Sequence, residues 1–163
     1  MDEKSPTSNA EDPSAAAVQE ASVAVRALLR SGHELQTALA ERLDMGVTDV
    51  QAIDELVASP TPLGPVELGH RLGIRSASAT VLVARLERAG HLARDSHPED
   101  GRRISLVVTD SARAEVREAL RPLIDSFARM TADLGPDQRT AVVTFLQELT
   151  GMVRAFTAEQ PGE

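Results

Sequence analysis

Apolar residues return with helical spacing along most of this chain and change to alternation once, near its centre. From Ala15 to Leu43, the positions Ala21, Val25, Leu28, Leu35, Leu39 and Leu43 recur at intervals of three, four and seven, which predicts one long helix. Gly32 lies on the same stripe, where it either admits another helix closely or weakens this one. Thr48 is expected to open a second helix, with Gln51 completing a capping box and Val50, Ile53, Leu56 and Val57 facing inward. The run Ser59-Pro60-Thr61-Pro62 ends it. Gly64-Pro65 then opens a short third helix whose Leu68 and Leu72 point inward, while Gly69 leaves room for a crossing helix. Gly73 turns the chain, Ile74 fills the corner, and Ser76 is expected to cap a fourth helix. Ala79, Leu82, Val83, Leu86 and Ala89 form one stripe of that helix, with Ser76, Ser78, Thr80 and Arg85 largely off it.

Gly90 supplies the left-handed residue that a helix end favours. Beyond it, Ile104, Leu106 and Val108 share one side of a strand that pairs with a segment around Leu92 across the turn-forming SHPEDG. Two helices joined by a tight turn, followed by a hairpin, make a helix-turn-helix with a wing. Thr109 caps a fifth helix carrying Asp110 in its first turn, a stripe of Val116, Leu120, Leu123, Ile124 and Phe127, and a kink at Pro122. Gly135-Pro136 starts the last helix, where Val142, Leu146, Leu149, Val153 and Phe156 step by four and three, the seam of a helix packed on partner helices.

The fold class is therefore mainly α with a small β-hairpin. Residues 1–14 are polar and expected to be disordered. Residues 46–109 form a winged helix-turn-helix domain, and the N- and C-terminal helices, 15–45 and 110–158, form a helical dimerisation region. A central domain of this size does not cover the apolar stripes at both ends, and a second copy related by a two-fold axis is their simplest cover.

Charge sharpens this division. The net charge is -8, but residues 60–109 hold 7 basic and 5 acidic side chains, against 4 and 11 in residues 1–59 and 6 and 9 in residues 110–163. Only the central third is positive, so an acidic body would meet phosphates through that segment alone. The chain has no cysteine, which excludes disulfides and thiolate zinc sites. His33, His70, His91 and His97 show no i, i+3 or i+4 spacing, so neither a metal nor another cofactor is expected. His33 reads either as a surface residue or as part of a ligand cleft. Catalytic residues are not expected either: there is no Gly-rich phosphate loop and no HExxH, and GHRLG lacks the serine of GxSxG. No apolar run reaches the roughly 18 residues of a membrane span, and the N-terminus is acidic rather than basic and then apolar, so a cytoplasmic protein with no membrane partner is expected.

With helix, helix, helix-turn-helix, wing, helix and helix in this order, the chain resembles the MarR family of bacterial transcriptional regulators. The resemblance runs from about residue 20 to 157 and is strongest in VTDVQAIDEL, PVELGHRLGI, SASATVLVARLERAGHLAR and HPEDGRRISLVVT. It implies a homodimer that binds a pseudo-palindromic operator in double-stranded DNA as a repressor. It further implies release when a small aromatic or phenolic effector changes the distance between the two reading heads. The wing tip of the family carries Asp-x-Arg, matched by Asp100-Gly101-Arg102, in which Asp100 stabilises the wing and holds Arg102 toward a narrow minor groove. Two departures stand out: Ala84 where the family often has an acid before Arg85, and Gly101 where a basic residue is common.

The DNA-binding candidates follow. A helix fits the major groove and meets base edges with its N-terminal residues, here Ser76, Ala77, Ser78 and Thr80. Arg85 reaches the backbone, faces solvent or forms an intramolecular ion pair, and Ser76 serves as cap, ligand or both. Arg75, like Arg71, brackets the turn near phosphate or faces solvent. Arg103 is second to Arg102 because alternation puts it on the opposite face. A different class of function remains open, in which the winged helix is a protein-interaction adaptor, consistent with the overall acidity.

Overall fold

The computed structural model of the chain describes residues 13–97 and 100–158, with the side chains of residues 13, 14, 97, 100–102 and 158 outside the description. Its elements are α1 (Pro13–Arg42), α2 (Val47–Ala58), α3 (Pro65–Arg71), α4 (Ser76–Arg88), β1 (Leu92–His97), β2 (Asp100–Val108), α5 (Asp110–Ala132) and α6 (Pro136–Ala158). α1 starts at Pro13 rather than Ala15, so the last two residues of the segment expected to be disordered are helical, and the rest of that segment lies outside the described residues. The chain divides into two compact units, Met1–Ala119 and Leu120–Glu163.

The core of the first unit is built by Ala52 and Ile53 of α2, Leu68 of α3, Leu82, Val83 and Leu86 of α4, Leu92, Leu106 and Val108 of the hairpin, and Ala112 of α5. Met45, Leu56, Leu72, Ile74 and Val116 pack around it. Each fully buried Val, Leu or Ile side chain contributes about 1.5–3 kcal/mol by leaving water. The stripes of α2, α4 and β2 fail at their ends, whereas that of α1 is exposed in mid-helix at Leu28 and Leu35. Ala89 is exposed because it is already the C-cap of α4. Val57, in the last turn of α2, is 51% exposed, and Ile104, nearest the hairpin turn, is 46% exposed.

Backbone needs decide the helix starts. The N-cap of α2 is Gly46, not Thr48: the Asp49 carboxylate accepts from the Gly46 amide at 3.0 Å, and Gln51 instead donates to Gln36 at 3.1 Å. Ser76 is not the cap of α4 either. Arg75 occupies that position in extended backbone, its carbonyl accepting from the Ala79 amide, with no side-chain cap. Gly64 does cap α3, with Pro65 in the first turn. Thr109 caps α5, its hydroxyl accepting from the Ala112 amide at 3.2 Å. Gly73 and Gly90 turn the chain at φ +65° and +80°, conformations that lack of a Cβ permits.

β1 and β2 are antiparallel, in register from Leu92↔Val108 to Ser96↔Ile104, with an irregularity at Ser96/His97. The Leu106 amide donates to the Leu63 carbonyl at 2.8 Å, so the segment between α2 and α3 ties to the wing strand.

In the second unit α5 continues through Pro122, and α6 begins at Gly135-Pro136, where the Gly135 amide donates to Gln138 Oε1 at 2.9 Å. None of its described side chains is buried: Phe127, Val142, Leu146, Val153 and Phe156 are 42% to 68% exposed. Among the described residues no helix is long and apolar enough to cross a membrane.

Candidate nucleic-acid interface

The helix-turn-helix is set by a missing side chain. A Cβ on Gly69 would lie 2.9 Å from the Cβ of Ala79, so α3 and α4 cross at a distance only glycine permits. With Ala79, Leu82, Val83 and Leu86 turned to the core, the first two turns of α4 hold Ser76, Ala77, Ser78, Thr80 and Val81 exposed. The Thr80 hydroxyl donates to the Ser76 carbonyl at 3.0 Å. Four of these five are residues expected to meet DNA. Val81, 64% exposed, escaped a reading attentive to hydroxyls and cations. Its signal was available: it lies off the apolar stripe and one turn beyond Ala77.

Arg85 is engaged within the chain. Its Nε and Nη2 donate to Asp49 Oδ1 at 3.2 and 2.6 Å, while the other oxygen of this buried carboxylate accepts from Gly46. An acid on α2 thus does what an acid at position 84 would do, and the intramolecular reading of Arg85 holds. Its side chain stays 54% exposed. Arg103, on the face opposite Arg102 by alternation, pairs with Glu67 of α3. Backbone hydrogen bonding from its own amide, helped by Arg103 and Gly64, holds the Glu67 carboxyl below the usual range. On the hairpin side, Arg94 donates to Glu87 at 2.7 and 3.0 Å and keeps that carboxyl low as well. Arg71 pairs with Glu55 at 3.4 Å, whereas Arg75 and Arg88 form no ion pair among the described residues. The side chains of Asp100 and Arg102 lie outside the described residues; their backbones belong to β2 at its turn end, where Asp100 stands opposite His97.

His33 is exposed on α1, and His91 sits 3.4 Å from Glu115. The described residues hold no group of three or more His, Asp or Glu placed to bind a metal. The candidate interface is therefore a helix presenting hydroxyls and methyls, flanked by arginines, several of them already paired with acids.

Comparison with known proteins agrees with this architecture. A model of the MarR family matches residues 43–103, from the turn before α2 into the wing. The HTH-type transcriptional regulator YcgE of Bacillus subtilis is 29% identical over 109 residues, 67% of this chain and 70% of that one. The HTH-type transcriptional repressor YetL of the same organism is 27% identical, over 58% and 56% of the two chains. Among solved structures, a MarR family transcription regulator superposes with a TM-score of 0.59 at 20% identity, covering 87% of this chain and 93% of its own. A MepR variant of S. aureus bound to an oligodeoxyribonucleotide gives 0.51 at 19% identity, over 81% and 96%. Fold, element order and matched segment converge: residues 43–103 match the MarR family of transcriptional regulators, and the chain has the fold of a winged helix-turn-helix protein.

Proposed function

We propose that this protein is a cytoplasmic, sequence-specific DNA-binding repressor that works as a homodimer on a pseudo-palindromic operator. The observation that carries the reading is the division of α4 into a fully buried rear face and an exposed first two turns of short side chains, the arrangement that lets a helix enter the major groove. Arg102 at the wing, positioned by Asp100, supplies a minor-groove contact, and Arg75 a phosphate contact. The exposed apolar stripes of α5 and α6 support the dimer, since a second copy gives them cover. A homodimer would present two reading heads to an operator whose halves repeat with inverted symmetry. A small aromatic or phenolic effector would act by changing the spacing of those heads.

A mobility-shift titration against the DNA upstream of the chain's own reading frame, with competitor DNA present, tests operator binding. A discrete complex that survives competitor is expected. Loss of the complex at equal competitor mass overturns sequence-specific binding and favours the protein-interaction adaptor. Melting curves against a panel of small aromatic acids test the effector, because a bound ligand raises the midpoint by mass action.

A further inference from the structure

We propose that this regulator identifies its operator through thymine methyl groups, and that Val81 is the side chain that reads them. The inference rests on the operator-binding reading above and goes one step further, to the chemical group recognised.

The usual direct readers are Arg or Lys for guanine and Asn or Gln for adenine, each making paired hydrogen bonds to a base edge in the major groove. None of these occurs in the first six residues of α4, Ser76 to Val81. The first long cation along the helix, Arg85, gives both Nε and Nη2 to Asp49. Thr80 donates its proton to the Ser76 carbonyl, so toward a base it offers an acceptor and a methyl. Ala77 and Val81 stand one turn apart on the exposed face, and Val81 is among the most exposed aliphatic side chains of the first unit. It has no role in the core, whose contacts with α4 are made by Ala79, Leu82, Val83 and Leu86.

Of the four bases, only thymine presents an apolar group in the major groove, its C5 methyl. A row of Ala77 and Val81 has no hydrogen-bonding chemistry to offer and matches that methyl. The flanking hydroxyls of Ser76 and Ser78 adapt to either a base or a phosphate. Specificity then comes from fitting methyl against methyl along thymine-bearing steps, with hydrogen bonding in a supporting part.

The test begins with a duplex selected by the full-length protein from a randomised pool. Each thymine of that duplex is replaced in turn by deoxyuridine, symmetrically in both half-sites, which removes the methyl and leaves pairing intact. The expected result is a loss of about fourfold in affinity per half-site at one or two positions, the effect of one buried methyl, and no change elsewhere. Val81→Ala, at an exposed site, is expected to melt with the wild type and to bind the thymine and uracil duplexes within twofold of each other. Uracil tolerated at every position by the wild-type protein would overturn thymine readout while leaving operator binding in place. A full uracil penalty retained by Val81→Ala would remove Val81 from the reading. Failure to select any duplex would overturn operator binding itself.

Discussion

α4 and α6 carry apolar stripes of nearly the same spacing and meet opposite fates. Ala79, Leu82, Val83 and Leu86 are at most 3% exposed, whereas Val142, Leu146, Val153 and Phe156 are 42% to 68% exposed. The residues of α6 are no less apolar. The difference lies in supply: α4 is met by α2, α3, the hairpin and the first turns of α5, whereas the second unit holds too little chain to enclose its own stripes. A stripe records a demand for a neighbour and does not say whether the neighbour belongs to the same molecule.

That contrast can be pressed from either side. Leu68→Ala removes a fully buried side chain and is expected to cost about 2–5 kcal/mol in urea unfolding, equally at low and high protein concentration. The pair Leu146→Glu and Val153→Glu places charge on the exposed seam of α6. Sedimentation is expected to show a dimer at micromolar concentration for the wild type and a monomer for the pair, whose melting midpoint no longer rises with concentration. A monomeric wild type would break the comparison, because the stripes would then have no cover. Gly69→Ala forces a methyl to 2.9 Å from Ala79 and is expected to destabilise by about 1–3 kcal/mol. Arg102→Ala is expected to weaken operator binding by roughly 1–3 kcal/mol with the melting midpoint unchanged, separating reading from folding.

The smallest effect is on pH. Glu67 and Glu87 have carboxyls held below their ordinary value of 4.5, so their pairing contributes stability above that pH and loses it as pH falls through the lower, folded value. Both are solvent-facing, and each is worth less than about 1 kcal/mol. Glu67→Gln with Glu87→Gln should flatten the acid limb of a stability profile slightly; an unchanged limb would show the pairs to be fully screened.

Local chemistry was legible in the chain. Gly73 and Gly90 turned where left-handed backbone was needed, Gly64-Pro65 and Thr109 began helices, and the inner stripe of α4 is the core. Competition between neighbouring solutions hid other features. Thr48 and Gln51 have the side chains of a full capping box, yet the N-cap is Gly46, which has no side chain to cap with, and the Asp49 carboxylate accepts from the Gly46 amide and from Arg85. Pairs distant in sequence were invisible to spacing: Arg85 with Asp49 and Arg103 with Glu67 are each separated by 36 positions. Arg85 thereby ties α4 to α2, and Arg103 ties β2 to α3. Periodicity also has no knowledge of where an element stops being covered, which is why Val57, Ala89 and Ile104 follow the pattern and still face solvent.

The contact at Gly69 has one more consequence. Where two helices meet through long side chains, rotamer changes let their separation and tilt drift; where they meet at a bare α-carbon against an alanine methyl, nothing is available to rearrange. The pose in which α4 is offered to its target is thereby settled when the domain folds, and adjustment to different sequences must come from the nucleic acid or from side chains on the outer face.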